Sequence, residues 1–124
     1  MKYILFLAIL ITLQSEASMP MEETKLNEKL ASELGFKFKK TQDKFGLTIE
    51  LKGPSMFGDS CTPLAAGHFV VKEHEELSAF INSAHAKEPE SISYISDKLE
   101  ATLIVFIDYE CSSEAKRFTV SSNE

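Results

Sequence analysis

A chain of 124 residues, 44% of them apolar and 26% charged, has room for one small domain and not for two. Its 19 Asp+Glu against 13 Lys+Arg give a net charge of −6, and with Arg117 as the single arginine this argues against binding a polyanion such as nucleic acid. Neither the disordered nor the collagen-like compositional signature is present.

Met1 to Ala17 reads as a secretory leader: Lys2 supplies the positive start, Ile4 to Leu13 is apolar except for Thr12, and Ser15-Glu16-Ala17 offers a small-residue cleavage site. Ten residues at about 1.5 Å each fall well short of a hydrocarbon core of roughly 30 Å, so no transmembrane anchor is expected once the leader is removed. The expected organisation is a signal peptide (1–17), an N-terminal helical segment (18–35) and one disulfide-stapled globular domain (36–124), secreted or periplasmic. Beyond the leader the charge is uneven, with seven positive and seven negative residues from Ser18 to Ser60 and five against eleven from Cys61 to Glu124.

From Glu22 to Leu34, Leu26, Leu30 and Leu34 form an i, i+4, i+8 stripe, with acidic residues at the start and Gly35 past the end, which predicts a short amphipathic helix. Phe36 and Phe38 then alternate with lysines, and Phe45, Leu47, Ile49 and Leu51 alternate with Thr48, Glu50 and Lys52, the period of a hairpin with one wet face. Gly53-Pro54 ends it, and Ser55 to Pro63 reads as a loop. His68 to Val71 is a short strand. Leu77, Phe80, Ile81 and Ala84 at i, i+3, i+4 and i+7, after Glu73, Glu75 and Glu76, predict a helix over Glu73 to Ala86; a strand from Leu77 to Ser83 is the competing reading. Ile92, Tyr94 and Ile95 suggest a brief strand and Asp97-Lys98-Leu99 a corner. Thr102 to Glu110 is apolar on both sides and therefore central, and Phe118 and Val120 mark a last antiparallel strand. This order predicts an α+β fold, a small antiparallel β-sheet domain with one or two packed helices and one disulfide, with a small all-β sandwich as the alternative.

Cys61 and Cys111 allow a single intramolecular pairing, and neither sits in a CxxC redox spacing. Closing a loop of about 50 residues is worth roughly 4 kcal/mol in the chain-entropy model, a large share of the stability of so small a domain.

The hints of chemistry are few. Gly58-Asp59-Ser60 is similar to the Gly-Asp-Ser opening of a family of serine esterases, whose Ser attacks an ester carbonyl with a His base, a carboxylate that orients it, and oxyanion donors. The resemblance stops there: Cys61 stands where an aliphatic residue is expected, and no Asp lies three residues before His68, His74 or His85. On a helix His74 and His85 would share a face but stand about 16 Å apart, too far for one ion, so no metal and no cofactor are expected. Glu73, Glu75 and Glu76 read as a helix start, and Lys37, Lys39, Lys40 and Lys44 as protection of a sheet edge rather than an anion patch. Met56 and Phe57, beside Asp59, are apolar where a loop tip is ordinarily polar, and make a candidate partner-binding loop unless they fold beneath it. The expectation is a non-enzymatic domain that binds a protein or surface partner as an inhibitor or accessory factor, through this loop and the acidic second half. A small extracytoplasmic serine hydrolase using Ser60, and a lipid or small-molecule carrier, are the alternatives.

Overall fold

The computed structural model describes residues 21–58, 60–83 and 88–123. The expected leader, Asp59, His85 and the last part of the helix expected over Glu73 to Ala86 lie outside the described residues. In chain order the elements are β1 (Met21–Lys25), α1 (Glu28–Leu34), β2 (Lys37–Gln42), β3 (Gly46–Lys52), β4 (Thr62–Lys72), β5 (Glu75–Ser83), β6 (Glu90–Ser96), a 3-10 turn (Asp97–Leu99), β7 (Thr102–Glu110) and β8 (Ala115–Ser121).

The strands form two sheets. The larger runs β1-β8-β7-β4-β5 and the smaller β2-β3-β6. Every pairing is antiparallel except β1 with β8, which is parallel and makes the larger sheet mixed. With one helix of seven residues among the described residues, the architecture is closer to all-β than to the expected α+β class.

β7 is central because it is apolar on both sides. Leu103, Val105, Ile107 and Tyr109 have no exposed surface and join Ile49, Leu51 and Ile95 of the small sheet and Phe118 and Val120 of β8 in one core. Each such side chain contributes about 1.5–3 kcal/mol of burial. On the opposite face of β7, Phe106 is equally buried, stacked on Phe69 at 4.8 Å and roofed by the Arg117 guanidinium at 4.3 Å.

The predicted hairpin is β2–β3, whose turn is closed by the Asp43 carboxylate accepting from the backbone N–H of Phe45 (2.7 Å) and Gly46 (2.8 Å). Phe45 was expected on the inner face, but this turn carries it out to solvent at 70% exposure. The disulfide joins Cys61 and Cys111, Cα atoms 4.2 Å apart, just beyond the Thr62–Glu110 pair that ends the β4–β7 ladder.

The helix expected over Glu22–Leu34 is shorter. Met21–Lys25 is drawn out as β1 against Ala115–Thr119, and the helix starts only after Asn27, whose side chain accepts from Leu30 N–H at 2.8 Å. Gly35, at φ 87°, ends it as the Leu stripe and Gly35 suggested. Leu26 and Ala31 are buried in the same core as the strands, so residues 21–35 pack as part of the domain.

The larger correction concerns Glu73 to Ala86. Its described part is not helix: after a two-residue turn at Glu73 and His74 the chain returns as β5, paired with β4 from Lys72–Glu75 to Ala65–Ser83. Both turn residues have positive φ (51° and 68°), as a type I′ hairpin requires, yet neither is Gly or Asn. β4 itself is far longer than the predicted His68–Val71, because pairing on both sides, with β5 and β7, extends it over eleven residues.

Candidate functional site

Ser60 and the described histidines are not brought together. Ser60 precedes β4 at its disulfide end, His68 is six residues into that extended strand, and His74 lies beyond its far end. At about 3.3 Å per residue, Ser60 and His68 are on the order of 20 Å apart. With His74 in a hairpin turn, no helix face carries it toward His85. Among the described residues no three His, Cys, Asp or Glu side chains are grouped to hold a metal ion.

The loop expected to bind a partner divides. Met56 is exposed, but Phe57 turns inward, its ring 4.8 Å from Phe118, 5.8 Å from Tyr109 and 6.3 Å from Phe36, with the Lys116 ammonium 5.5 Å from its centroid. Phe57 and Cys61 exchange two backbone hydrogen bonds (2.9 and 3.1 Å), which pins the loop to the disulfide. The Tyr109 hydroxyl donates to the Pro54 carbonyl at 2.7 Å across this cluster, and burial raises its pKa well above the ordinary phenol value. A Cβ on Gly53 would strike the Phe36 ring at 2.9 Å, so only glycine lets the chain pass.

His68 belongs to a polar clasp between the sheets. The buried hydroxyl of Ser93 on β6 is hydrogen-bonded to His68 Nδ1 at 2.7 Å, and that of Ser91 donates to the Gly67 carbonyl at 3.0 Å. The His68 ring stacks on Phe80 of β5, centroids 5.8 Å apart. Among the described residues no carboxylate hydrogen-bonds the imidazole, so the Ser–His contact lacks the orienting acid of a nucleophilic triad. Its evident work is to seat β6 over β4.

That seating shapes the candidate site. β6 is tied to β4, and β5 is the next and outermost strand of the larger sheet, pairing with β4 alone. All nine residues of β5 are exposed, among them Phe80 (57%) and Ile81 (60%). On β6 the inward positions are Ser91, Ser93 and Ile95, which leaves Ile92 and Tyr94 outside. Leu77, Phe80, Ile81, Ile92 and Tyr94 are five of the nine large apolar residues exposed among the described ones. Tyr94 is held neutral to higher pH than usual by desolvation, reinforced by Asp43 and Asp97. Gly67 lets β5 come this close: a Cβ there would fall on the Phe80 carbonyl oxygen.

An open strand edge offers unpaired N–H and C=O groups, and with apolar side chains on both flanks it is suited to take up another extended segment. None of Phe80, Ile81, Ile92 and Tyr94 was singled out from sequence as a contact residue. The absence of charge from Leu77 to Ser83 was the available signal, and helical spacing masked it. Two open surface clefts of about 370 and 500 Å³ flank α1 and β2, with Phe38 between them, Leu26 in one and Lys39 and Lys40 at its rim; Lys40 Nζ donates to the Ser121 carbonyl at 2.6 Å.

Comparison with known proteins finds no matching family model, no similar curated protein and no similar solved structure.

Proposed function

We propose that the protein is a secreted or periplasmic, non-enzymatic domain that binds a protein partner as an inhibitor or accessory factor, and that the β5–β6 side makes the contact. The observation that carries this reading is the complete exposure of β5, an edge strand with Phe80 and Ile81 outside; Ile92 and Tyr94 are exposed on β6, the edge of the small sheet. An uncharged, open strand edge with apolar side chains is suited to take up a partner strand. An oxidising compartment is supported by the Cys61–Cys111 bond, which cytosolic thiol reductants would oppose. Exposed Met56 stands as a further contact candidate, while Phe57 serves the core.

The test is partner capture from the native source by the mature protein and by Phe80→Glu and Tyr94→Glu variants whose circular dichroism is unchanged. A partner held by wild type and lost from the variants supports the reading; equal retention by all three contradicts the surface. Ester hydrolysis abolished by Ser60→Ala in folded protein would overturn the non-enzymatic assignment.

A further inference from the structure

We infer that β5 pairs antiparallel with β5 of a second copy of the chain, joining the two five-stranded sheets across a twofold axis. This rests on the reading of β5 as a binding edge and names a second copy as what that edge takes up when the partner is absent.

The free edges are not equivalent. β1 carries Glu22, Glu23 and Lys25 in five residues, and β2 carries Lys37, Lys39 and Lys40 in six, charges that resist strand addition. β6 is fastened to β4 through Ser91 and Ser93. β5 has no charge and no proline from Leu77 to Ser83. The register of β4 shifts between Val70 and Val71, leaving Leu77 as the bulged residue, so Ser78 to Ser83 is the regular, uncharged stretch.

The sequence of β5 suits its own reverse. Its only charges, Glu75 and Glu76, stand at one end. A parallel pairing would set them against their own copies, whereas the antiparallel register that overlaps all nine residues is centred on Ala79. That register sets Glu75 opposite Ser83, Glu76 opposite Asn82 and Ser78 opposite Phe80, and brings Leu77 toward Ile81 of the second copy. Like charges never meet, and polar ends flank an apolar middle. Such an interface is isologous and closed. Once β5 is used, the outermost strand of the larger sheet is β1 with its guarding charges, so assembly stops at two. With three large apolar side chains per copy the contact is small, and its affinity belongs in the micromolar range.

Sedimentation equilibrium of the mature protein across the micromolar range tests this. Wild type is expected to show a monomer–dimer equilibrium, Ile81→Lys to weaken it at least about tenfold, and Phe45→Lys, in the exposed β2–β3 turn, to leave it unchanged. Under oxidation Ala79→Cys, facing its own mate, should form a covalent dimer, while Glu75→Cys, at opposite ends of the paired strands, should not. A monomer at every concentration overturns the self-pairing, as does a dimer insensitive to Ile81→Lys. Either result leaves the partner reading to its own capture experiment, where only unchanged binding by the Phe80 and Tyr94 variants defeats it.

Discussion

Arg117→Met removes a cation on the outer face of the larger sheet that is both hydrogen-bonded and stacked. Asp108 is only 4% exposed, and its two oxygens accept from Arg117 Nε at 2.7 Å and from Nη2 at 2.9 Å. The guanidinium is held protonated chiefly by that hydrogen bond, against the opposing effect of its own burial. Deleting one partner of a buried pair costs about 3–5 kcal/mol, because the remaining charge is stranded. The Arg117 side chain is one-fifth exposed, so water reaches the gap and the cost falls to about 2–3 kcal/mol. Loss of the cation–π contacts over Phe106 (4.3 Å) and Phe69 (5.1 Å) adds about 0.5–1 kcal/mol, while Met still covers the rings. The expected total of about 3 kcal/mol is about a fifth to three-fifths of the roughly 5–15 kcal/mol that stabilises a domain of this kind. Urea unfolding at neutral pH with the disulfide intact measures it, and the double variant Asp108→Val/Arg117→Met should recover to within about 1 kcal/mol of wild type. A single variant that loses under about 1 kcal/mol, or a double variant no better than the single, would refute the stranded-charge reasoning.

The alkaline limb of stability should be set by Tyr109. Its folded pKa lies above the unfolded value of 10.0 because of burial, so its contribution is fully present below pH 10 and is lost as pH rises, by up to about 1.4 kcal/mol per pH unit. Tyr109→Phe should flatten that limb in unfolding midpoints between pH 9 and 12 while costing about 1 kcal/mol at neutral pH for the lost bond to Pro54; an unchanged slope contradicts the assignment. Replacing Glu73-His74 by Asn-Gly should raise stability by about 1 kcal/mol, since both residues occupy positive φ, and a loss would mean their side chains serve the turn. Replacing Cys61 and Cys111 together by Ala should cost roughly 4 kcal/mol in thermal or urea unfolding; a cost under about 1 kcal/mol would show the staple to be incidental.

Burial explains which parts of this fold can be read from sequence. Ile49 and Leu51 alternate with polar residues because β3 has one face against the core, and Leu103 to Ile107 is apolar throughout because β7 is covered on both sides. The cysteine pairing followed from there being only two. For β5 the competing reading, a strand from Leu77 to Ser83, is the one that holds; the pattern favours the helix because β5 is exposed on every residue, so no buried face imposes period two and Leu77, Phe80 and Ile81 mimic a helical stripe. Its turn gave no warning either, since Glu73 and His74 adopt positive φ without Gly or Asn. Pairing with eight residues of β4 decides the matter against local preference. At the front, the acidic start at Glu22 and Glu23 belongs to β1, and the helix signal that held was Gly35 after the last turn; the Asn27 cap was not read from the sequence. Ile92 and Tyr94 were read as a strand correctly, but their exposure follows from Ser91 and Ser93 being the inward residues, which depends on Gly67 and His68 across the sheets.

Amide hydrogen exchange through Glu75–Ser83, followed as protein concentration rises and again with captured partner present, tests the role of β5 most directly. Alternate amides of β5 point away from β4, and occupation of the edge should slow their exchange while the remaining β5 amides, already bonded to β4, change little. Outward amides that exchange at the same fast rate at every concentration and with partner bound would contradict the claim that this edge is where the protein binds.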